Sequence, residues 1–260
     1  MNRYRRALVT GASSGLGEAF ARELAARGCE LVLVARDGDA LAAGWPDAEV
    51  LPADLGHHDG LAVVAARLSA GSPIDLLVNA AGALGGIGPL ALQPSEVAEQ
   101  VIGLNATAAV RLTQAAVRAM VPRRFGGVVN VSSVNGFWPT PGGAVYSATK
   151  SFLTSFSQSV HGEVCWHGVH VTALCPGSTA SRLHDRAGHK GGRVGSLLSP
   201  EFVVRSGLAA VSAGRPVAVP GLEYGLKAAL GRHAPWLARR YFYRRWGRPA
   251  ARVLATLTAE

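Results

Sequence analysis

Apolar positions along the chain alternate between two patterns: short runs with almost no polar break, and longer stretches in which apolar residues recur every three to four positions. Residues 7–10 form the first run, which ends at Gly11. Phe20 and Leu24 then lie four apart, Ala19 and Ala26 extend their face and Gly28 stops it, which predicts a helix. Glu30–Ala35 reads as a buried strand, followed by a run at 48–51, a helix at about 59–69 and a strand at 74–78. One long helix, at about 95–120, places Val97, Val101, Leu104, Ala108, Leu112 and Ala115 on a single stripe. A strand at 127–131 precedes a helix at about 146–166 whose apolar side carries Phe152, Phe156, Val160 and Val164. Val169–Leu174 is the next strand, stopped by Pro176 and Gly177, and residues 217–220 offer one more. Uniformly apolar strands alternating with amphipathic helices predict a parallel sheet covered on both faces. With right-handed crossovers this is an α/β, doubly wound sheet in a single domain.

Composition supports a large core. Of 260 residues, 48% are hydrophobic and only 17% charged, which excludes intrinsic disorder. Cys29, Cys165 and Cys175 are odd in number and lack CxxC spacing, so reduced thiols in a cytoplasmic setting are expected, with no disulfide framework and no metal site. The uncharged stretches 76–95 and 125–149 are broken by Gly, Pro and Asn and do not read as membrane spans. The apolar run after the basic residues 1–6 ends at Thr10, too short for a signal-peptide core.

The formal charge of +9 is unevenly placed. Residues 224–260 hold eight basic residues and one acid, a net +7 that leaves +2 for residues 1–223. The chain therefore divides into a nearly neutral body, 1–223, and a basic tail, 224–260, where Trp236, Tyr241, Phe242, Tyr243 and Trp246 interleave with arginines. Three readings of the tail stay open: a helix packed on the body or on a second subunit, an amphipathic helix at a membrane surface, or a nucleic-acid contact. The neutral body argues against a nucleic-acid footprint for the whole protein.

The loop after the first strand carries candidate chemistry. Gly11 allows a tight turn, Gly15 lets backbone approach a pyrophosphate, and Gly17 lets helix pack close to strand. The anion would face the helix N-terminus, where free N–H groups and the macrodipole favour it. No Gly-Lys-Ser/Thr follows, so this is not a P-loop.

Thr10 to Gly17 resembles the TGxxxGxG loop of the short-chain dehydrogenase/reductase family. The resemblance continues in family order through Asp54-Leu55, Asn79-Ala80-Ala81-Gly82, Asn105, Ser133, Tyr146 to Lys150 and Pro176-Gly177, covering about two thirds of the chain. It implies a Rossmann-type NADP-binding catalytic domain. The second strand ends in Ala35 and Arg36, where NAD would call for an acid; a guanidinium there suits a 2′-phosphate, so NADP(H) is expected, with Ser13 or Ser14 adding a hydroxyl contact. Asp37 is a competing partner for Arg36. The resemblance further implies that Gly11, Gly15, Leu16 and Gly17 surround the cofactor phosphates and that Asp54, beside Leu55, hydrogen-bonds adenine. Asn79, Ala80 and Gly82 would lie near the adenosine ribose, although Asn79 has the alternative of stabilising the sheet. Pro176, Gly177 and Thr179 would border the nicotinamide. Ser181 stands where the family often has threonine.

Tyr146 and Lys150 are four apart on a helix and so share a face; an ammonium beside a phenol lowers its pKa and fits it for proton exchange with a carbonyl or alcohol oxygen. Ser133, thirteen residues earlier at a strand's carboxyl edge, can hydrogen-bond that oxygen. The resemblance makes Asn105 the fourth catalytic member, holding a water between Lys150 and solvent, and makes Tyr146 and Lys150 cofactor contacts as well. Residues 182–215 are the expected substrate loop. It has Leu183, Leu197, Leu198, Phe202 and Val203 as a candidate apolar wall, Trp138 as an alternative lining residue, and His184, His189, Lys190 and Arg193 as solvated loop residues. The implied partners are a partly hydrophobic small-molecule carbonyl or alcohol and further copies in a homo-oligomer. A non-catalytic NADP(H)-binding sensor or scaffold is the alternative.

Overall fold

The computed structural model describes residues 4–180 and 196–255. Its centre is one sheet of seven strands, β1 (Arg6–Thr10), β2 (Glu30–Ala35), β3 (Glu49–Pro52), β4 (Leu76–Asn79), β5 (Gly126–Val131), β6 (Val169–Leu174) and β7 (Val217–Ala218). They run in the order β3-β2-β1-β4-β5-β6-β7, and every neighbouring pair is parallel. Successive side chains of a strand point to opposite faces, so the strands supply two cores. On one face, Val9, Leu33, Val129 and Leu174 pack against Phe20 and Leu24 of α1 (Gly15–Ala26) and Val204 and Leu208 of a later helix (Pro200–Ser212). On the other, Leu8, Val32, Leu77 and Val128 meet Leu61 and Val64 of α3 (His58–Ser69) and Leu112 and Met120 of α5 (Ala108–Met120). At roughly 1.5–3 kcal/mol for each fully buried large aliphatic side chain, these two layers dominate stability. The strand order reverses between β1 and β4, which opens a crevice at the carboxyl ends of the strands.

Three elements differ from the sequence reading. The helix α2 (Gly38–Gly44) was not anticipated; its seven residues are too few for a periodic signal, and it is started by Asp37, whose carboxylate accepts the Ala40 amide at 3.0 Å. The predicted helix over 95–120 is α4 (Ser95–Ile102) and α5 joined by a π-helical turn, Gly103–Thr107, with Asn105 inside it. The helix α6 (Ala144–Val164) turns its small and polar face inward, through Ser147, Lys150, Leu153, Thr154 and Ser157. Phe152, expected on the buried side, is exposed and stacks on half-buried Phe156 with ring centroids 5.9 Å apart. The C-terminal half of the predicted face holds, with Val164 in the core and Val160 packed against it; hydrophobicity misplaced Phe152 because interior hydrogen bonds, not apolar bulk, hold the N-terminal half of α6 to the sheet.

The helix α7 (Pro200–Ser212) is capped by Ser199, which accepts the Phe202 amide. Val203 lies in the core rather than on a substrate wall, and Phe202 is exposed. Residues 184, 189, 190 and 193, with Ser181 and Leu183, lie outside the described residues. Beyond β7 come α8 (Leu222–His233), α9 (Pro235–Phe242) and α10 (Arg248–Leu254). The first two pack on the stretch that follows β5: Trp138 stacks on Phe242 at 5.0 Å and 10°, in a third cluster with Val134, Tyr224 and Ala238. Trp138 is therefore a core aromatic. Among the described residues no helix is long and apolar enough to cross a membrane.

Candidate functional site

The crevice is built by the turns that leave β1, β4, β5 and β6. Gly11 and Gly15 adopt φ of +66° and +59°, and a Cβ on Gly17 would stand 2.1 Å from the Gly11 carbonyl oxygen. No larger residue fits without opening the loop. Thr10 ties the neighbouring strand to it: its hydroxyl oxygen accepts the amides of Ala80 and Ala81, each at 3.1 Å, and donates to the Val78 carbonyl. Ser14 holds the N-cap position of α1, yet its hydroxyl makes no capping bond, so the amides at this helix start lack a side-chain acceptor. Ser13 is exposed beside it, and Leu16 packs on the core. Arg36 is exposed at the end of β2, and Asp37 caps α2 instead of pairing with it. Asp54 is half-buried and accepts the Gly56 amide at 2.9 Å, while Leu55 is buried in the core. A cradle without Cβ atoms, an uncapped helix start and an exposed guanidinium together fit a dinucleotide diphosphate carrying a further phosphate.

Asn79 does not face that cradle with its amide group. Its Nδ2 donates to Asn130 at 2.9 Å and to Thr113 at 3.3 Å, and Asn130 donates on to Ser157. This buried chain links β4, β5, α5 and α6, which is the sheet-stabilising alternative. Gly82, three residues on, sits between catalytic candidates: a Cβ there would lie 3.1 Å from Asn105 Oδ1 and 3.7 Å from Lys150 Nζ.

At the end of β5, Ser133 starts a 3-10 turn and accepts the Asn135 amide at 3.2 Å. Its side chain acts on the phenol of Tyr146, which stands in the first turn of α6. Burial raises that phenol above its ordinary 10.0, with Ser133 acting in the opposite direction. Lys150, one turn further, is buried and donates from Nζ to the Val131 carbonyl at 2.8 Å. The amine stands 5.6 Å from the centre of the Tyr146 ring, and burial lowers it from 10.5 to about 8, against the effect of the nearby Cys175. In the protein alone burial is the largest influence on the phenol, and Ser133 acts towards phenolate.

Asn105 is buried in its π-helical turn, a feature that recurs at functional sites. Its amide group pairs with both backbone groups of Ala83 at 2.9 Å and donates to Thr149 at 3.2 Å. These bonds pin the segment that follows β4 against the start of α6. After β6, the Pro176 carbonyl accepts the Val134 amide at 3.0 Å, which brings Pro176 and Gly177 beside Ser133; Thr179 donates to the Gly177 carbonyl. The site residues after β1, β4, β5 and β6, with Asn105, thus converge at one end of the sheet.

A family model described as short chain dehydrogenase matches residues 5–191, well over half of the chain. This chain is a short-chain dehydrogenase/reductase. It is similar to an uncharacterized short-chain type dehydrogenase/reductase of Sinorhizobium fredii, 34% identical over 211 residues that span 79% of this chain and 84% of that one. Among solved structures it resembles a short-chain dehydrogenase from Sphingobium yanoikuyae in complex with NADPH, with 37% identity, coverage of 84% and 88% of the two chains and a TM-score of 0.78. It also resembles the bulky-bulky ketone specific alcohol dehydrogenase from Comamonas testosteroni, with 30% identity, 85% and 88% coverage and a TM-score of 0.73.

The dehydrogenase also carries site residues that sequence reasoning missed. Tyr224, 1% exposed, lays its ring where Gly177 has no side chain; a Cβ there would fall 2.1 Å from the ring. Its hydroxyl accepts the Ser178 amide at 3.0 Å and donates to the Ser196 carbonyl at 2.8 Å. No local pattern marks a tyrosine 46 residues downstream as a support for this loop. Cys175 lies buried beside Thr154 and Ser132, with burial raising its thiol to about 11, so it is an inert neighbour of Lys150. Next to Tyr146, a mainly apolar pocket is lined by Leu84, Val97, Val101 and Val145. Among the described residues no cluster of metal-ligating side chains occurs.

Proposed function

We propose that this oxidoreductase uses NADP(H) to interconvert a partly hydrophobic ketone or aldehyde and its alcohol. The observation that carries this reading is the meeting of Ser133, Tyr146 and Lys150 at the crevice, with Ser133 acting on the Tyr146 phenol and Lys150 Nζ 5.6 Å from its ring centre. Arg36 at the end of β2, where no acid stands, supports NADP(H) over NAD, as does the NADPH complex of the Sphingobium yanoikuyae relative. When bound, the nicotinamide supplies or receives the hydride. Gly11, Ser13, Ser14, Gly15 and Gly17 would hold its diphosphate, Arg36 the 2′-phosphate, Asp54 the adenine, and Pro176, Gly177 and Thr179 the nicotinamide end.

Tyr146 Oη gives a proton to the carbonyl oxygen in reduction and takes one from the hydroxyl in oxidation. Ser133 Oγ steadies the same oxygen as charge develops. Lys150 Nζ, already 2.8 Å from the Val131 carbonyl, is the cation beneath the phenol and the anchor for a ribose hydroxyl. Asn105 keeps Gly82 and Ala83 in place so that the amine is not displaced. The apolar lining beside Tyr146 supports a hydrophobic substrate. A cytoplasmic homo-oligomer is part of the reading, supported by the free cysteines and by exposed Ile102 and Phe152 on the long helices; for the tail, a helix packed on the body is supported by Tyr224, Ala238 and Phe242 in the third cluster, and peripheral membrane contact is the reading added to it.

The test is NADPH consumption with a panel of ketones and aldehydes by wild type and Tyr146→Phe. Turnover should fall by roughly 10²–10⁴-fold, the usual worth of a positioned acid. Equal turnover by both proteins, or NADPH binding with no turnover of any substrate, would favour the sensor or scaffold instead.

A further inference from the structure

The helices after residue 221 have two unlike faces. The inner face of α8, Tyr224, Ala228 and Gly231, is buried against the body, and Gly231 is so close to Phe137 that a Cβ would lie 2.6 Å from its carbonyl oxygen. The outer face carries Leu222, Leu226 and Leu230, four apart along the helix; Leu222 is 82% and Leu226 65% exposed. In α9 the buried residues are Ala238 and Phe242, while Trp236, Leu237 and Tyr241 are exposed. Large apolar side chains aligned on the solvent side of helices whose other side is already packed form a patch that calls for an occupant.

Charge chooses among the occupants. Residues 224–255 contain seven arginines and one lysine and no acid, and Lys227 pairs with Glu223 just outside that span. A second copy meeting this patch by two-fold symmetry would bring each arginine set against itself. A surface with dense negative charge and an apolar layer beneath matches both properties at once. Trp and Tyr among exposed leucines are the side chains suited to the headgroup boundary. With no helix among the described residues able to span a bilayer, the element would lie on the surface.

We infer that α8 to α10 dock this enzyme on an anionic phospholipid bilayer, with Leu222, Leu226, Leu230, Trp236 and Leu237 entering the headgroup boundary and the arginines of 239–252 meeting lipid phosphates. The inference deepens the tail reading of the proposed function and is independent of the catalytic one.

Full-length protein is floated with phosphatidylcholine vesicles, with vesicles containing about one third phosphatidylglycerol, and with the latter at high salt. The partition coefficient should be at least about tenfold higher on the anionic vesicles and should fall towards the neutral value at ~1 M salt, where the Debye length is ~3 Å. The combined variant Arg239→Gln, Arg240→Gln, Arg244→Gln and Arg245→Gln should lose roughly a hundredfold or more, from the usual attraction of each basic residue to such a surface. Leu226→Glu with Trp236→Glu should abolish binding; NADPH affinity and melting temperature like those of wild type show that these variants are folded. No flotation, equal flotation on both vesicle types, or flotation unchanged by either variant overturns the inference. So does a concentration-dependent dimer that Leu226→Glu dissolves, which would make the patch a contact between copies. Because flotation is read without substrate, its failure is distinguishable from a failure of the catalytic reading.

Discussion

Replacing Lys150 by methionine should abolish turnover and stabilise the fold at neutral pH. The amine is 5% exposed, and burial lowers its pKa from 10.5 to about 8. At ~1.4 kcal/mol per pKa unit, keeping it charged inside the protein costs about 3 kcal/mol. The substitution removes that cost but also the hydrogen bond to the Val131 carbonyl, worth about 1 kcal/mol. Lys150→Met should therefore be about 2 kcal/mol more stable than wild type at pH 7. The sign changes with pH. Below about pH 8 the lysine is protonated in both the folded and the unfolded chain, and the gap is flat. Between about 8 and 10.5 the unfolded chain still holds a proton that the folded protein has released, so wild-type stability rises with pH. By pH 10 wild type should equal or exceed the variant. Urea unfolding followed by tryptophan fluorescence, on the protein without cofactor at pH 7 and pH 10, measures both gaps. A variant less stable than wild type at pH 7, or a gap that does not move between the two pH values, would refute the argument that desolvation governs this amine.

Two further outcomes test other parts of the site. Arg36→Ala should weaken NADPH binding by roughly ten- to a hundredfold, the worth of charge-assisted hydrogen bonds, and leave NADH binding unchanged; titration by fluorescence with both cofactors decides it, and an equal loss for both would remove Arg36 from the 2′-phosphate. Tyr224→Phe strips the hydroxyl from the Ser178 amide and the Ser196 carbonyl, so it should cost about 1–3 kcal/mol of stability and raise the KM for NADPH while Tyr146 still functions. A melting temperature unchanged within error would show that the two hydrogen bonds do not support the loop.

Most of the sheet and the glycine cradle were legible in the chain, because their signals are local. An uninterrupted apolar run needs two covered faces, a positive φ at Gly11 and Gly15 needs glycine, and a Tyr/Lys pair four apart shares a helix face wherever that helix goes. The inward face of the first half of α6 was not legible, since Thr154 and Ser157 are buried through partners in the segments around β5, Ser132 and Asn130, and hydropathy ranks Phe152 above them. The short α2 and the π-helical turn around Asn105 give too few residues for a period. Membership of the family and the positions of Ser133, Tyr146 and Lys150 were thus written in motifs. What the environment does to them was settled only by the packed molecule: that burial raises the phenol, that the amine rests on the Val131 carbonyl, and that Tyr224 from the far end of the chain braces Gly177. Desolvation and long-range contact depend on which segments meet, and no window along the chain contains both partners.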